Sequence, residues 1–219
     1  MESDGMYSAI IVAGGVGIRS GLPHNKVLYE IHGKALIDYV LEFFEGDDDC
    51  REIILVTHRR DLDLMKARFG DSVEHIVPGG VTRQESVCAG LEVASSEYVF
   101  IHDGARPFIP GLEGLKEAVV QNKAASLAIP VYETAKRTKD AMFIEDVDRR
   151  DLVLVQTPQA FDRRLLLEAY SKVAGRVFTC DASLVSSVLH YSVQMALGSR
   201  KNIKFTTPDD ADLLGLILQ

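Results

Sequence analysis

Ile10-Ile11-Val12-Ala13-Gly14-Gly15-Val16-Gly17-Ile18-Arg19-Ser20 is the stretch on which the reading of this chain turns. An apolar, β-branched run beginning near Tyr7 stops at three glycines within four residues. Such a run marks a buried strand, and glycine lets the backbone that follows approach a ligand closely. A strand that opens into a glycine loop turns several N–H groups outward, which suits a phosphate. Arg19 offers a fork for two phosphate oxygens, and Lys26, seven residues on, a mobile point charge. The loop therefore reads as a triphosphate cradle with two cations beside the reacting phosphorus.

Other readings of the same glycines compete. Gly15-Val16-Gly17-Ile18-Arg19-Ser20 nearly matches the dinucleotide fingerprint, but that fingerprint turns straight into a helix. Here Pro23, Asn25 and Gly33 intervene, and the next strand ends in Thr57-His58-Arg59-Arg60, without an acidic residue for a ribose. The P-loop pattern is absent, since Gly33-Lys34 runs into Ala35. A plain turn would also account for the glycines.

Working outward, strands expected over Glu52–Thr57, Val73–Val77, Tyr98–His102 and Ser126–Val131 alternate with helical stripes over Ala35–Phe44, Asp61–Phe69, Arg83–Val93 and Pro110–Asn122. Strict alternation implies an α/β fold: a Rossmann-like, mostly parallel sheet with helices on both faces. Ligands of such sheets bind beyond the carboxyl ends of the strands. Three chemically rich segments fall there: residues 13–26, 78–86 and 103–106. Further helices are expected over Arg163–Val173, Asp181–Leu189 and Pro208–Leu218, with strands near Val193–Leu197 and Ile203–Thr206.

Residues 132–155 break the pattern. They are rich in charge and too poor in apolar residues to build a core. They read as a solvated loop or as an extended hairpin arm, stable only when packed on something such as a second subunit. The whole chain, residues 1–219, is one domain with this excursion. A net charge of −8 argues against non-specific nucleic-acid binding. Three widely spaced cysteines and six histidines without ligand spacing predict a reducing compartment and no zinc site. There is no signal-peptide pattern and no apolar run of membrane-spanning length, so a cytoplasmic location is expected.

Two segments carry further chemistry. Asp103, at the end of the strand Tyr98-Val99-Phe100-Ile101-His102, can ligate Mg²⁺, accept a substrate hydroxyl, or pair with Arg106. Gly79-Gly80-Val81-Thr82-Arg83-Gln84-Glu85-Ser86 is a second glycine-rich loop, in which Thr82 and Glu85 form a capping box. Its backbone could read a base edge, with Ser86 adding a hydroxyl. Phosphoryl and nucleotidyl transfer need alignment and charge neutralisation above all. These parts together suit a nucleotidyltransferase.

Several ordered motifs, each weak alone, make the chain resemble the 2-C-methyl-D-erythritol 4-phosphate cytidylyltransferase family over about Tyr7 to Leu218. They are Ala13-Gly14-Gly15-Val16-Gly17-Ile18-Arg19, His102-Asp103-Gly104-Ala105-Arg106-Pro107-Phe108, Val147-Asp148-Arg149, Thr157-Pro158-Gln159-Ala160-Phe161, Asp181-Ala182-Ser183 and Asn202-Ile203-Lys204. The resemblance implies CTP and a sugar-alcohol phosphate as substrates, with Mg²⁺ and loss of pyrophosphate. It implies that Arg19 and Lys26 stabilise the transition state, and that Arg149 and Lys204 position the acceptor. Ala13, Gly14, Gly15, Gly17, Gly80, Ser86 and Asp103 fall on the nucleotide side; Asp103, Arg106, Thr134, Arg149, Thr179 and Lys204 fall near the second substrate, and Asp103 near the metal. It further implies a homodimer in which the arm crosses to the partner. The chain departs from the family's usual pattern at Ser20, at Asn25-Lys26-Val27 and at Cys180. Its double glycine is shared with the related ribitol-5-phosphate cytidylyltransferases.

Overall fold

A computed structural model describes residues 6–15 and 25–219. The first strand, β1 (Tyr7–Ala13), shows why the fold has two faces. Successive side chains of a strand point to opposite sides. Tyr7, Ala9, Ile11 and Ala13 enter one core, and Ile10 enters the other. On the first side lie α1 (Leu36–Glu45), α2 (Leu62–Phe69), α4 (Glu113–Asn122) and α7 (Asp209–Ile217). On the second lie α3 (Arg83–Val93), α5 (Arg163–Ser171) and α6 (Asp181–Leu189). Helix α3 packs so close to β1 that a Cβ on Gly90 would stand 2.5 Å from Ile10 Cγ2. Tyr7 and Phe100 stack on the opposite face with ring centroids 3.9 Å apart.

Parallel neighbours β4 (Cys50–Thr57) and β6 (Tyr98–Asp103) flank β1, and β5 (His75–Pro78) lies beyond β4. On the other side β7 (Ala124–Pro130) pairs in parallel with the edge strand β11 (Gln194–Leu197). Between β6 and β7 lies β10 (Val153–Asp162), antiparallel to both. The resulting order is β11-β7-β10-β6-β1-β4-β5. A small hairpin, β2 (Glu30–Ile31) with β3 (Lys34–Ala35), precedes α1. The arm is a hairpin of β8 (Ala135–Lys139) and β9 (Met142–Val147).

The α/β expectation holds, with three local corrections. The strand β10 was not expected from the sequence, because Pro158 and four polar residues interrupt its apolar pattern. Ile203–Thr206 is not a strand: the Phe205 N–H donates to Ala105 O at 2.8 Å, and the Phe205 ring stacks on Tyr29 at 4.8 Å. The helix expected from Pro110 begins at Glu113. Among the described residues no helix is long and apolar enough to cross a membrane.

Candidate active site

The carboxyl ends of β1, β4, β5 and β6 bring the glycine loops together. Ala13, Gly14, Gly15, Lys26, Gly80, Ser86, Asp103 and Lys204 line one cavity of about 270 Å³. A second cavity of about 270 Å³ adjoins it and is lined by Arg106, Thr157, Thr179 and Ser183 among others. Arg83, Asp103 and Lys204 line both, so they form the shared wall. Ala13, Gly14, Gly15, Gly80, Ser86 and Asp103, expected on the nucleotide side, line the first cavity, and Asp103, Arg106, Thr179 and Lys204, expected near a second substrate, line the adjoining one. Arg19 and Gly17 lie outside the described residues. Thr134 and Arg149 are exposed on the arm, lining neither cavity of this single chain; the Arg149 guanidinium donates to Tyr132 O.

Each loop is held by bonds that explain its composition. Glu85 Oε2 accepts the Val81 and Thr82 N–H groups, and Thr82 Oγ1 accepts the Glu85 N–H at 3.1 Å. This is the expected capping box, and it satisfies donors that a helix start leaves free. A Cβ on Gly79 would meet Ser86 Oγ at 2.6 Å, so the turn closes over Ser86 only with glycine there. Asn25 is buried; its Nδ2 donates to Ala13 O at 2.7 Å and to Asp61 Oδ2 at 3.1 Å. That bond pins the residue before Lys26 to the end of β1, and Lys26 Nζ donates to Phe205 O at 2.9 Å. Sequence reasoning treated Asn25 only as a departure from pattern, although a buried amide beside a glycine turn is a recognisable loop anchor.

The Asp103 segment rests on a chain of bonds whose directions are all determined. A carbonyl can only accept, so His102 Nε2 carries the hydrogen given to Arg106 O at 3.0 Å. Nδ1 must then accept, and the Thr157 hydroxyl donates to it at 3.1 Å. Thr157 Oγ1 in turn accepts the Asp103 N–H at 3.1 Å. His102 is fully buried, and burial holds its pKa down to about 4, so the neutral tautomer is the resident form. The other side of Thr157 is tied to the loop that bears Lys204. Asn202 Nδ2 donates to Thr157 O at 2.8 Å, and Arg106 Nη1 donates to Asn202 O at 2.7 Å.

Charge is concentrated at the shared wall. Lys204 Nζ donates to Asp103 Oδ2 at 2.7 Å, Arg83 Nε lies 3.4 Å from Oδ1, and Arg106 Nε lies 3.7 Å from Oδ2. Burial works against a charged Asp103, but Arg83, Lys204 and Arg106 overcome it and hold the carboxyl well below the usual range. Lining positions contribute Lys26, Arg83, Arg106 and Lys204 against Asp103, an excess of positive charge suited to a polyanion. Arg83 was read from the sequence only as a helix start; its role at the wall depends on contacts with Asp103 and with Asp181, distant in the chain.

A mostly parallel sheet whose strand ends carry two glycine loops, a buried aspartate and a cation-lined double cavity belongs to the α/β nucleotidyltransferase class. The family model described as 2-C-methyl-D-erythritol 4-phosphate cytidylyltransferase matches residues 7–219, and the chain belongs to this family. It is 41% identical over 213 residues to the enzyme so named from Halalkalibacterium halodurans, covering 93% of each chain. It is 42% identical over 214 residues to that from Geobacillus thermodenitrificans, again covering 93% of each. The crystal structure of the Anaerococcus prevotii 4-diphosphocytidyl-2C-methyl-D-erythritol synthase superposes with a TM-score of 0.84 at 32% identity, over 98% of this chain and 96% of that one. The cytidylyltransferase from Thermus thermophilus gives 0.82 at 29% identity, over 98% of this chain and 100% of that one.

Proposed function

We propose that this protein transfers the cytidylyl group of CTP to 2-C-methyl-D-erythritol 4-phosphate. The observation that carries the reading is the pair of adjacent cavities sharing the Arg83–Asp103–Lys204 wall. Such a pair lets one phosphate lie against another. An oxygen of the acceptor phosphate attacks the α-phosphorus of CTP and forms a new P–O bond. The bond from that phosphorus to the bridging oxygen breaks, and its electron pair leaves with pyrophosphate. The acceptor is already an anion, so no general base is required. Lys26 and Arg19 stabilise the charge that develops on the α-phosphate and the leaving group. The loops around Gly14, Gly15, Gly80 and Ser86 hold the nucleotide, and Arg106, Thr179 and Lys204 hold the acceptor.

The donor set suits a magnesium ion that arrives on the nucleotide. Among the described residues no three His, Cys, Asp or Glu side chains gather to hold a metal. Asp103 is a lone carboxylate facing the nucleotide cavity, and Mg²⁺ is commonly held by one carboxylate together with phosphate oxygens and water. Asp103 would hold it by exchanging its contact with Lys204 or Arg83 for the ion, which would supply neutralisation of triphosphate charge.

The arm supports a homodimer. Met142, Phe143 and Ile144 on β9 are 71%, 77% and 62% exposed, and Leu154 at the root of β10 is 55% exposed. Apolar side chains so placed on a two-stranded hairpin call for a covering surface. A second copy supplies it, and Thr134 and Arg149 then reach the partner's acceptor cavity. Phe143→Glu is expected to shift the protein from dimer to monomer in analytical ultracentrifugation and to lower turnover with it. A monomeric variant with full activity would separate the arm from catalysis. A cytoplasmic location fits these soluble substrates.

The reaction itself is tested by following pyrophosphate with CTP, Mg²⁺ and 2-C-methyl-D-erythritol 4-phosphate, then with ribitol 5-phosphate as acceptor. Release with the first acceptor alone is expected. Release with ribitol phosphate alone would transfer the assignment to that substrate, and release with neither would leave a nucleotide-binding module.

A further inference from the structure

Arg83 opens α3, yet its side chain turns away from the helix and joins two carboxylates. Nη1 donates to Asp181 Oδ2 at 2.6 Å, while Nε faces Asp103 Oδ1 at 3.4 Å. The third nitrogen, Nη2, is buried and has no hydrogen-bond partner. A buried donor with no protein partner leaves the guanidinium one bond short of full satisfaction.

Both ends of the bridge matter to the site. Asp103 lies on the nucleotide side and holds Lys204. Asp181 is the first residue of α6, and its neighbours Thr179, Cys180 and Ser183 line the acceptor cavity. Asp181 is itself fixed by the Tyr170 hydroxyl, which donates to Oδ1 at 2.6 Å. Its neighbour Ala182 donates its N–H to Gln159 Oε1 at 3.0 Å. Beside Arg83, Gln84 Oε1 accepts the Phe178 N–H at 2.6 Å, so the first turn of α3 grips the same approach to α6 twice.

We propose that Arg83 is a positioning residue for the transfer reaction: it braces Asp103 against Asp181 and so sets the nucleotide cavity and the acceptor cavity at a fixed spacing. The guanidinium is suited to this because it reaches two carboxylates from one rigid plane. Lysine, a single point charge, reaches only one well. The inference rests on the cytidylyl-transfer reading above, and wild-type turnover in the same assay keeps the two apart.

The test compares Arg83→Lys, Arg83→Gln/Asp181→Asn and the wild type, with both substrates varied and thermal unfolding recorded. The double variant removes a cation and its buried partner together, so it is expected to unfold within a few degrees of the wild type. Its kcat/KM is expected to fall roughly 30- to 100-fold for CTP and for the acceptor alike, as misplacement of reacting groups does. Arg83→Lys keeps the charge and is expected to unfold near the wild-type temperature while its kcat stays depressed. Full activity in the lysine variant would overturn the proposal, since charge alone would then suffice. Wild-type activity in the double variant would reduce Arg83 to a counter-ion for Asp181. A loss confined to one substrate's KM would make it a contact for that substrate. Absence of turnover in the wild type would instead count against the cytidylyl-transfer reading.

Discussion

Lys26→Ala is expected to lower kcat about 300-fold and to raise the KM for CTP by less than about threefold, the pattern of a group that acts chiefly in the transition state. On the proposed reading the ground-state triphosphate would spread its charge over many contacts, from the Gly14–Gly15 loop to Lys204, so the loss of one cation would be tolerated. As the α–β bond breaks, charge accumulates on the bridging oxygen and on departing pyrophosphate. Three features suit Lys26 to that proposed role: it lines the first cavity, its neighbour Asn25 is anchored to the end of β1, and its own Nζ donates to Phe205 O at 2.9 Å. A preorganised cation costs little reorganisation when the charge appears. Stopped-flow or quenched-flow measurement of pyrophosphate release, with separate titration of CTP binding, checks the expectation. Equal losses in turnover and in affinity would place Lys26 in ground-state binding.

A second large effect is expected in stability against pH. His102 is neutral in the folded protein, with its pKa pushed by burial from 6.5 to about 4. Above pH 6.5 it is neutral folded or unfolded and contributes no pH dependence. As pH falls below that, the unfolded chain takes up a proton that the folded chain refuses. Stability is therefore lost between pH 6.5 and pH 4, by roughly 3 kcal/mol in total from this residue. His102→Gln keeps a donor for Arg106 O and removes the titration. Denaturant unfolding from pH 7 to pH 4 is expected to show the free-energy gap between wild type and variant narrowing by about that amount. A constant gap would mean that His102 titrates alike in both states. The carboxylates titrate in both proteins, so the comparison isolates His102 apart from its coupling to Asp103.

Much of this was legible in the residues. The period of β1 and the capping box of α3 are local signals, and the helix Arg83–Val93 begins and ends where its pattern does. The glycine loops and Asp103 were legible as chemistry, because the alternation of strand and helix sets them all at one end of the sheet. The strand β10 was not, for a physical reason. Gln156, Thr157 and Gln159 are buried polar residues whose bonds go to distant chain: Gln156 Nε2 donates to Ser199 O at 2.8 Å, and Asn202 Nδ2 to Thr157 O at 2.8 Å. Satisfied in this way they fit a sheet interior, but Ser199 and Asn202 lie some forty residues onward. The error at Ile203–Thr206 is the converse, a strand-like pattern with no ladder partner. Arg83 was missed because capping explained the segment around it and left nothing for the side chain to do.

The antiparallel β10 has a mechanical meaning. It is rooted in the arm at Val153 and passes under the site at Thr157, four residues or roughly 13 Å further on. Thr157 holds the Asp103 amide on one side and His102 on the other. One continuous strand, with a break in register between Val155 and Gln159, thus links the protruding hairpin to the floor of the cavities. The same strand that leaves the protruding hairpin is the one whose hydroxyl orders Asp103 and His102, so a partner seated on the hairpin would stand one short run of backbone from that carboxylate's support.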